Sequence, residues 1–297
     1  MERGCPTAGR LAGELRRLVL GAAENSLPDF AGRPIFDGPL VGIVDGDDRV
    51  FRALREAVSP RHFLPREVLG RPDGPVRVLS WALPFSRDII VSNRSGDWPS
   101  ELYSVARNNG GALNLELGRR LSDWLRREGF AAISPVLSDG YDAFRCPERG
   151  LSSNWSERHV AYAAGLGRFG LNGCLITPRG AMVRLGSLVT DAPLDVRPRR
   201  EADHRAPCLR DGGAGCGLCL RKCPAGAISS SGLDKEKCYL RRQAIRERSL
   251  GDYSGKFRML AAPIVKGGRK ADGFSLGCAL CSSGVPCESA DPAPGAV

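Results

Sequence analysis

The chain has 297 residues, a mass of 31.9 kDa and a formal charge of +10. Hydrophobic residues make up 42% and charged residues 26%, a globular balance that excludes a wholly disordered chain, a coiled coil and a collagen-like repeat. No apolar run approaches the roughly 20 residues that span a bilayer, and the N-terminus lacks the basic, apolar, small-residue series of a secretory signal. A cytoplasmic protein with no membrane partner is therefore expected. The basic residues are spread along the chain without a block of like charge, the pattern of a solvated positive surface.

In chain order, residues 7–23 read as an amphipathic helix with Leu11, Leu15, Leu18 and Val19 on one face. Residues 39–45 read as a buried strand, and residues 47–58 as a helix closed near Ser59-Pro60. Residues 76–83 form a strong strand pattern ended by Pro84. Residues 99–128 read as a helix, with Leu113, Leu117, Leu121 and Leu125 at spacing four and an interruption expected at Gly110-Gly111. Another strand is expected at 130–133, then a helix at 156–164 stopped by Gly165, then strands at 174–177 and 181–189. Strands alternating with helices point to an α/β or α+β domain. A charged, proline-rich linker over residues 195–207 follows it.

The eleven cysteines are unevenly placed, with eight between Cys208 and Cys287. In a cytosolic chain such crowding points to metal or redox chemistry rather than disulfides. Cys216, Cys219 and Cys223, followed by Pro224, spell C-x2-C-x3-C-P, and Cys208 precedes them by a glycine-rich insertion. Bacterial ferredoxins carry C-x2-C-x2-C-x3-C-P, whose fourth cysteine ligates the other cluster. Two thiolates two residues apart can reach neighbouring irons of one cubane, and Gly215 and Gly217 permit the loop between them. A short helix is expected to begin at Ala225. By the ferredoxin crossover, Cys208, Cys216, Cys219 and Cys287 would hold one [4Fe–4S] cluster. Cys223, Cys238, Cys278 and Cys281 would hold the second. Two four-thiolate zinc sites would use the same ligands, but zinc ribbons pair C-x2-C knuckles instead of crossing between sites. The C-x5-C step from Cys281 to Cys287 departs from the ferredoxin ending, and a three-iron form is the alternative at that cluster.

A second constellation runs from Trp155 to Leu171, where Gly165, Gly167 and Gly170 spell G-x-G-x-x-G. A dinucleotide fingerprint follows a strand and opens a helix; here the glycines follow a helix and precede a strand, so nucleotide binding is not expected. Close packing of backbone on a flat ligand, or a simple helix stop, fits them better.

Glu157-Arg158 through Ala161, then Ala164-Gly165-Leu166-Gly167 and Gly170, a strand pair, and C-x2-C-x3-C-P together resemble epoxyqueuosine reductase over residues 80–288 or so. That family carries two [4Fe–4S] clusters beside a base-off cobalamin, and is similar in architecture to the catalytic part of reductive dehalogenases. The resemblance implies an α+β fold: an α/β-type catalytic or corrinoid-binding domain over residues 1–200, a ferredoxin-like domain over 201–290 and a tail over 291–297. It implies an iron–sulfur reductase passing electrons to cobalamin, with Gly165, Gly167, Gly170, Gly180, Gly186 and Ser187 lining the corrinoid. Its partners would be a low-potential donor of ferredoxin or flavodoxin type and a small-molecule or nucleoside substrate. The family makes tRNA a candidate partner too, although no basic block in the sequence marks a site for it.

The sequence departs from the family at three places. Arg107-Asn108-Asn109-Gly110 stands where the family has Arg-Asp-Tyr-His. Leu151-Ser152-Ser153-Asn154 stands where it has an aspartate thought to protonate substrate. Its C-terminal helical repeats, which help grip tRNA, have no counterpart. A divergent branch with another substrate is expected.

A reductase of this kind needs a proton source, and Tyr162, Tyr103, His159 and Tyr141 are candidates, with Arg158 to stabilise a developing anion. The bland readings are a structural Glu157–Arg158 ion pair, a satisfied helix histidine at 159 and a core tyrosine at 162. Cys146 and Cys174 read as small buried residues, Cys174 with no cationic cluster beside it, and His62 and His204 belong to no motif. Two other functions stay open: an electron-transfer protein without corrinoid, and an RNA-binding zinc protein.

Overall fold

The structure is a computed structural model that describes residues 7–196, 204, 208–209, 215–258 and 277–293. Thr7 accepts a hydrogen bond from the Arg10 amide and starts α1 (Ala8–Leu20), whose Leu11, Leu15 and Val19 are buried. A short pair, β1 (Ser26–Leu27) and β2 (Arg33–Pro34), leads into β3 (Leu40–Asp45). Asp48 caps α2 (Arg49–Ala57) through the Val50 amide. Next come α3 (Pro65–Leu69), β4 (Arg77–Pro84) and α4 (Arg87–Ser92). Ser100 caps the long α5 (Glu101–Arg127), which ends before β5 (Ala132–Ile133). A hairpin of β6 (Ala143–Cys146) and β7 (Gly150–Ser153) precedes α6 (Glu157–Ala163). Then follow β8 (Arg168–Phe169), β9 (Leu175–Ile176) and β10 (Val183–Thr190). The cysteine-rich part contains α7 (Leu218–Lys222), the hairpin β11 (Ile228–Ser229) and β12 (Gly232–Leu233), and α8 (Lys235–Tyr253).

One sheet organises the molecule, with strand order β3-β4-β10-β5 and every pair antiparallel. The fold is therefore α+β as expected, and of the two classes that alternating helices and strands left open for the first part of the chain, the antiparallel sheet selects α+β over the α/β type. Alternation is a statement about chain order, and antiparallel pairing follows here because no helix carries the chain straight back between neighbouring parallel strands. Side chains alternate across the sheet. Leu79, Trp81 and Leu83 of β4 enter the core shared with α1, α4 and α5. Val78 of β4, Val44 of β3 and Val189 of β10 enter the core shared with α2 and α6. The sheet is thus covered on both faces.

The interruption expected at Gly110-Gly111 is corrected, because α5 runs unbroken past both. A Cβ at Gly110 would lie 2.5 Å from the Phe36 ring and 3.0 Å from Ile35. The helix keeps a residue costing about 1 kcal/mol against alanine, and the close approach of the aromatic loop offsets it. No helix starts at Ala225: the chain turns at Pro224–Gly226 and enters the β11–β12 hairpin, while the helix at this loop is α7, ahead of Cys223. Of the expected linker, residues 197–203 and 205–207 lie outside the described residues, as do residues 210–214 of the insertion and 294–297 of the tail.

The last described segment, residues 277–293, packs on the first part of the chain. The Ala181 amide donates to the Cys287 carbonyl at 2.8 Å and the Met182 amide to the Glu288 carbonyl at 3.1 Å. Asn93 donates to the Cys278 carbonyl and to the Ser283 hydroxyl. Among the described residues, no helix is long and apolar enough to cross a membrane.

Candidate metal centres and the adjoining cavity

Cys208, Cys216, Cys219 and Cys287 line one cavity of about 390 Å³, counted with its mouth, walled by Leu171, Ile176, Val285 and Pro286. Gly217, at φ +97°, lets the chain turn into α7 between Cys216 and Cys219. Burial pushes the Cys287 thiol up to about 12, and the nearby Cys174, Cys208 and Cys219 add to the rise. Cys219 is raised too, by burial and by Cys208 and Cys216. Four thiols whose charges oppose one another around an apolar hollow form a donor set that suits a cationic iron core. Among the described residues, no group of three or more His, Cys, Asp or Glu side chains converges tightly enough for a single metal ion.

The second group forms where the C-terminal segment meets α8. Burial raises Cys278, with Cys238 and Cys223 adding to it. Burial likewise raises Cys238, beside Cys174 and Cys223. The Ala227 amide donates to the Cys223 sulfur at 3.3 Å, the kind of backbone contact that offsets a cluster's negative charge. Cys281 completes the group and touches Cys174, a residue that the spacing did not connect to it. That contact comes first, and burial second, in holding the Cys281 thiol well above its usual range. Ser282 donates to the Cys174 sulfur at 3.5 Å. Cys174 is only partly buried, against the expectation of a buried residue, and it is not remote from cations: Arg158 and Arg107 both act on it.

A larger, open cavity of about 740 Å³, counted with its mouth, lies between α5, α6 and the start of β10. Arg107 and Asn114 from α5, Glu157 and Arg158 from α6, Tyr141, and Arg184 from β10 supply its polar groups. Asn114 is fixed from both sides, accepting from Trp81 Nε1 at 2.8 Å and donating to the Leu185 carbonyl at 3.0 Å. Arg158 donates to the Gly173 carbonyl at 3.1 Å, next to Cys174. Arg107 packs against Gly277, next to Cys278. The cavity and the second thiol group thus share a wall of arginine side chains.

Glu157 forms no ion pair with Arg158. Both of its carboxylate oxygens are sealed from solvent without a hydrogen-bond partner. Burial pushes its pKa up to about 7, opposed by the Ser187 hydroxyl and the Arg184 guanidinium. Tyr141 is raised to about 12, by burial and then by Glu157.

Of the three catalytic candidates, Arg158 lines this cavity, whereas Tyr162 and Tyr103 do not. Tyr162 leaves α6 on the side of Phe169, with ring centroids 5.8 Å apart. Tyr103 is 2% exposed in the main core against Phe85, and burial lifts it to about 12. His159 meets the Ser156 hydroxyl at 2.7 Å and lies against Phe169 with the rings tilted by 42°, and burial lowers it to about 4. His62, which no motif marked, accepts from the Ser156 amide through Nε2 at 3.2 Å and so holds the start of α6.

The glycines expected to line a corrinoid lie outside the larger cavity's lining. Gly167 sits against the Ile176 backbone, and Gly180 against Glu288 and Ser289. Gly170 lines the four-cysteine cavity. A Cβ at Gly186 would lie 2.5 Å from the Trp81 indole, and Ser187 accepts from Trp155 Nε1 at 2.9 Å. Gly165 has open space around it and serves the turn after α6, at φ +74°. The residues of β10 that reach the cavity are Val183, Arg184 and Leu185. As to a corrinoid's fit, no histidine, cysteine or lysine is among the lining residues, so no protein nitrogen or sulfur of those types faces a cobalt held there.

No protein-family model matches the sequence. An epoxyqueuosine reductase of Bacillus cereus is 36% identical over 85 residues, a segment that spans 28% of this chain and 20% of the relative's length. A crystal structure of selenomethionine-labelled epoxyqueuosine reductase superposes with a TM-score of 0.50 at 17% identity, covering 96% of this chain and 70% of that one. A reductive dehalogenase, described with a mechanism for B12-dependent dehalogenation, matches 68% of this chain and 27% of its own at 19% identity, with a TM-score of 0.43. The chain resembles epoxyqueuosine reductase in sequence over part of its length and shares that fold over nearly all of it.

Proposed function

We propose that this chain is an iron–sulfur reductase acting on a small molecule or modified nucleoside held in the larger cavity. Cys208, Cys216, Cys219 and Cys287 would hold one [4Fe–4S] cluster, and Cys223, Cys238, Cys278 and Cys281 the other. When bound, the clusters would supply single electrons of low potential, and a base-off cobalamin in the cavity a cobalt centre that accepts them.

The observation that carries this reading is the shared wall. Arg158 reaches from the cavity to the loop beside Cys174, and Arg107 reaches from it to the residue beside Cys278. Whatever occupies the cavity would stand one layer of side chains from the second thiol group. The chain's own residues divide the remaining work. Arg158 would stabilise negative charge that develops on the substrate. Asn114, locked by Trp81 and Leu185, would orient a polar group without rearranging. Tyr103 and Tyr162 are assigned packing roles behind the wall. The electron donor would be of ferredoxin or flavodoxin type, drawn to a surface with a charge of +10.

The test is electron paramagnetic resonance of anaerobically reconstituted protein with added cob(II)alamin, together with iron analysis. Roughly eight irons per chain and a base-off cobalt signal are expected. A cobalt signal unchanged from the free base-on cofactor, beside intact cluster signals, would overturn the cobalamin part and leave an electron carrier. Zinc in place of iron would overturn the whole reading.

A further inference from the structure

The two thiol groups stand in different electrostatic surroundings. The described residues that line the first group's cavity bring no charged side chain other than its own cysteines. Arg94 is paired with Glu288, the residue after Cys287. Lys222, between Cys219 and Cys223, donates to the Arg94 and Ser283 carbonyls. At Cys287 and Cys219 the groups that oppose burial are backbone amides.

The second group is approached by guanidinium groups from three helices. Arg158, from α6, donates to the Gly173 carbonyl at 3.1 Å, next to Cys174, which touches Cys281. Arg107, from α5, has its Nε 3.1 Å from the Cβ position of Gly277, next to Cys278. That nitrogen is sealed from solvent with no hydrogen-bond partner. Arg242 follows Cys238 by four residues on α8, one turn along the same face. Burial raises the Cys238 thiol, and Arg242 and Arg158 oppose it. One-electron reduction adds a negative charge to a cluster, and nearby cations stabilise the reduced form. Charge acts at a distance, so these groups need not touch the irons.

We propose that Arg107, Arg158 and Arg242, set around the second thiol group, hold its cluster at a higher potential than the first, so that an electron entering the chain comes to rest beside the larger cavity. The proposal rests on the two-cluster reading above and not on cobalamin. Each transfer moves one electron and makes or breaks no bond. The ferredoxin- or flavodoxin-type donor is oxidised as the first cluster is reduced, and the first cluster is reoxidised as the second is reduced. The three arginines are positioning residues: they decide where the electron waits.

A redox titration of the reconstituted chain, followed by electron paramagnetic resonance, tests this. Cys219→Ala and Cys278→Ala assign the two reduced-state signals. In the wild type the second cluster's signal should develop first as the potential is lowered. Arg107→Gln, Arg158→Gln and Arg242→Gln should each lower that midpoint and leave the first in place. A tenfold change in the reduction equilibrium, about 59 mV for one electron, is the expected scale. The corresponding lysine variants should keep the wild-type midpoint, because charge and not shape acts. Should one glutamine variant fail to assemble its clusters, the other two and the wild-type order decide. A first cluster that is reduced at the higher potential would overturn the proposal and leave the two-cluster reading standing. So would glutamine variants that leave the second midpoint unmoved or shift both alike. A wild type without two separable cluster signals would remove both.

Discussion

Arg94 closes an ion pair with Glu288 at 2.6 Å, tying the end of α4 to the residue that follows Cys287. Glu288 is 3% exposed and also accepts from the Gly284 amide. The chain after the second cysteine group is therefore held by a charge-assisted pair whose carboxylate is buried and whose guanidinium is exposed, and not by a hydrophobic strand. The position of Cys287, the proposed ligand farthest from the C-x2-C-x3-C-P run, depends on it.

Glu288→Ala should accordingly loosen the first four-cysteine site more than the second. The expected result is a lower melting temperature and a fall in iron towards half, with signals of the second cluster retained. Equal loss from both sites would show that Glu288 does not act on Cys287 in particular.

The two thiol groups should be separable. Cys219→Ala removes a proposed ligand lining the four-cysteine cavity, and Cys278→Ala one beside Cys238 and Cys223. Each variant should keep about half of the iron, and the two should lose different reduced-state resonances. If either variant lost all iron while still folded, the partition of the eight thiolates would be wrong.

Glycine substitutions should go in opposite directions according to what the new Cβ meets. Gly110→Ala and Gly186→Ala each place a methyl 2.5 Å from an aromatic ring, and overpacking of this kind costs about 1–3 kcal/mol. Gly13 lies inside α1 with nothing within 4 Å of its Cβ position, so Gly13→Ala should stabilise by about 1 kcal/mol. Urea midpoints of the three variants check the signs.

These contrasts show which parts of the molecule could be read in advance. The leucines at spacing four in α5 fixed a helix and its buried face, because helix periodicity is local. The C-x2-C-x3-C-P spacing is local in the same way, whereas the meeting of Cys287 with Cys208, Cys216 and Cys219 is a long-range contact that the fold supplies. Glu157 was read as a partner of Arg158 because they are adjacent, yet adjacent helix residues point about 100° apart. Both line the cavity, but the Arg158 guanidinium turns to the Gly173 carbonyl. Cys174 beside Cys281 is a long-range contact with no sequence signature. Nor was α8 visible: it buries Ile245 and Ser249 and little else, so it lacks an apolar stripe.

The titration of α6 and its neighbours gives the last prediction, and two effects run in opposite directions. His62 and His159 are both held at about 4 by burial, against an ordinary 6.5. Their unfolded forms take up protons below pH 6.5 while the folded forms refuse them until about 4. Each therefore lowers stability as pH falls through that window, by about 1.4 kcal/mol per pH unit at most. Glu157 is raised from 4.5 to about 7, so its penalty is absent below 4.5, grows between those values and is complete above 7. Glu157→Gln should then raise stability at pH 8 by on the order of 2 kcal/mol and leave it nearly unchanged at pH 4.5. His62→Gln should flatten the acid loss and leave stability above pH 7 to the strength of its hydrogen bond to the Ser156 amide. Denaturant midpoints for wild type and both variants across this range separate the contributions. A stabilisation by Glu157→Gln that did not depend on pH would mean that the carboxyl titrates alike in the folded and unfolded chain, so that the Ser187 hydroxyl and the Arg184 guanidinium fully offset its burial.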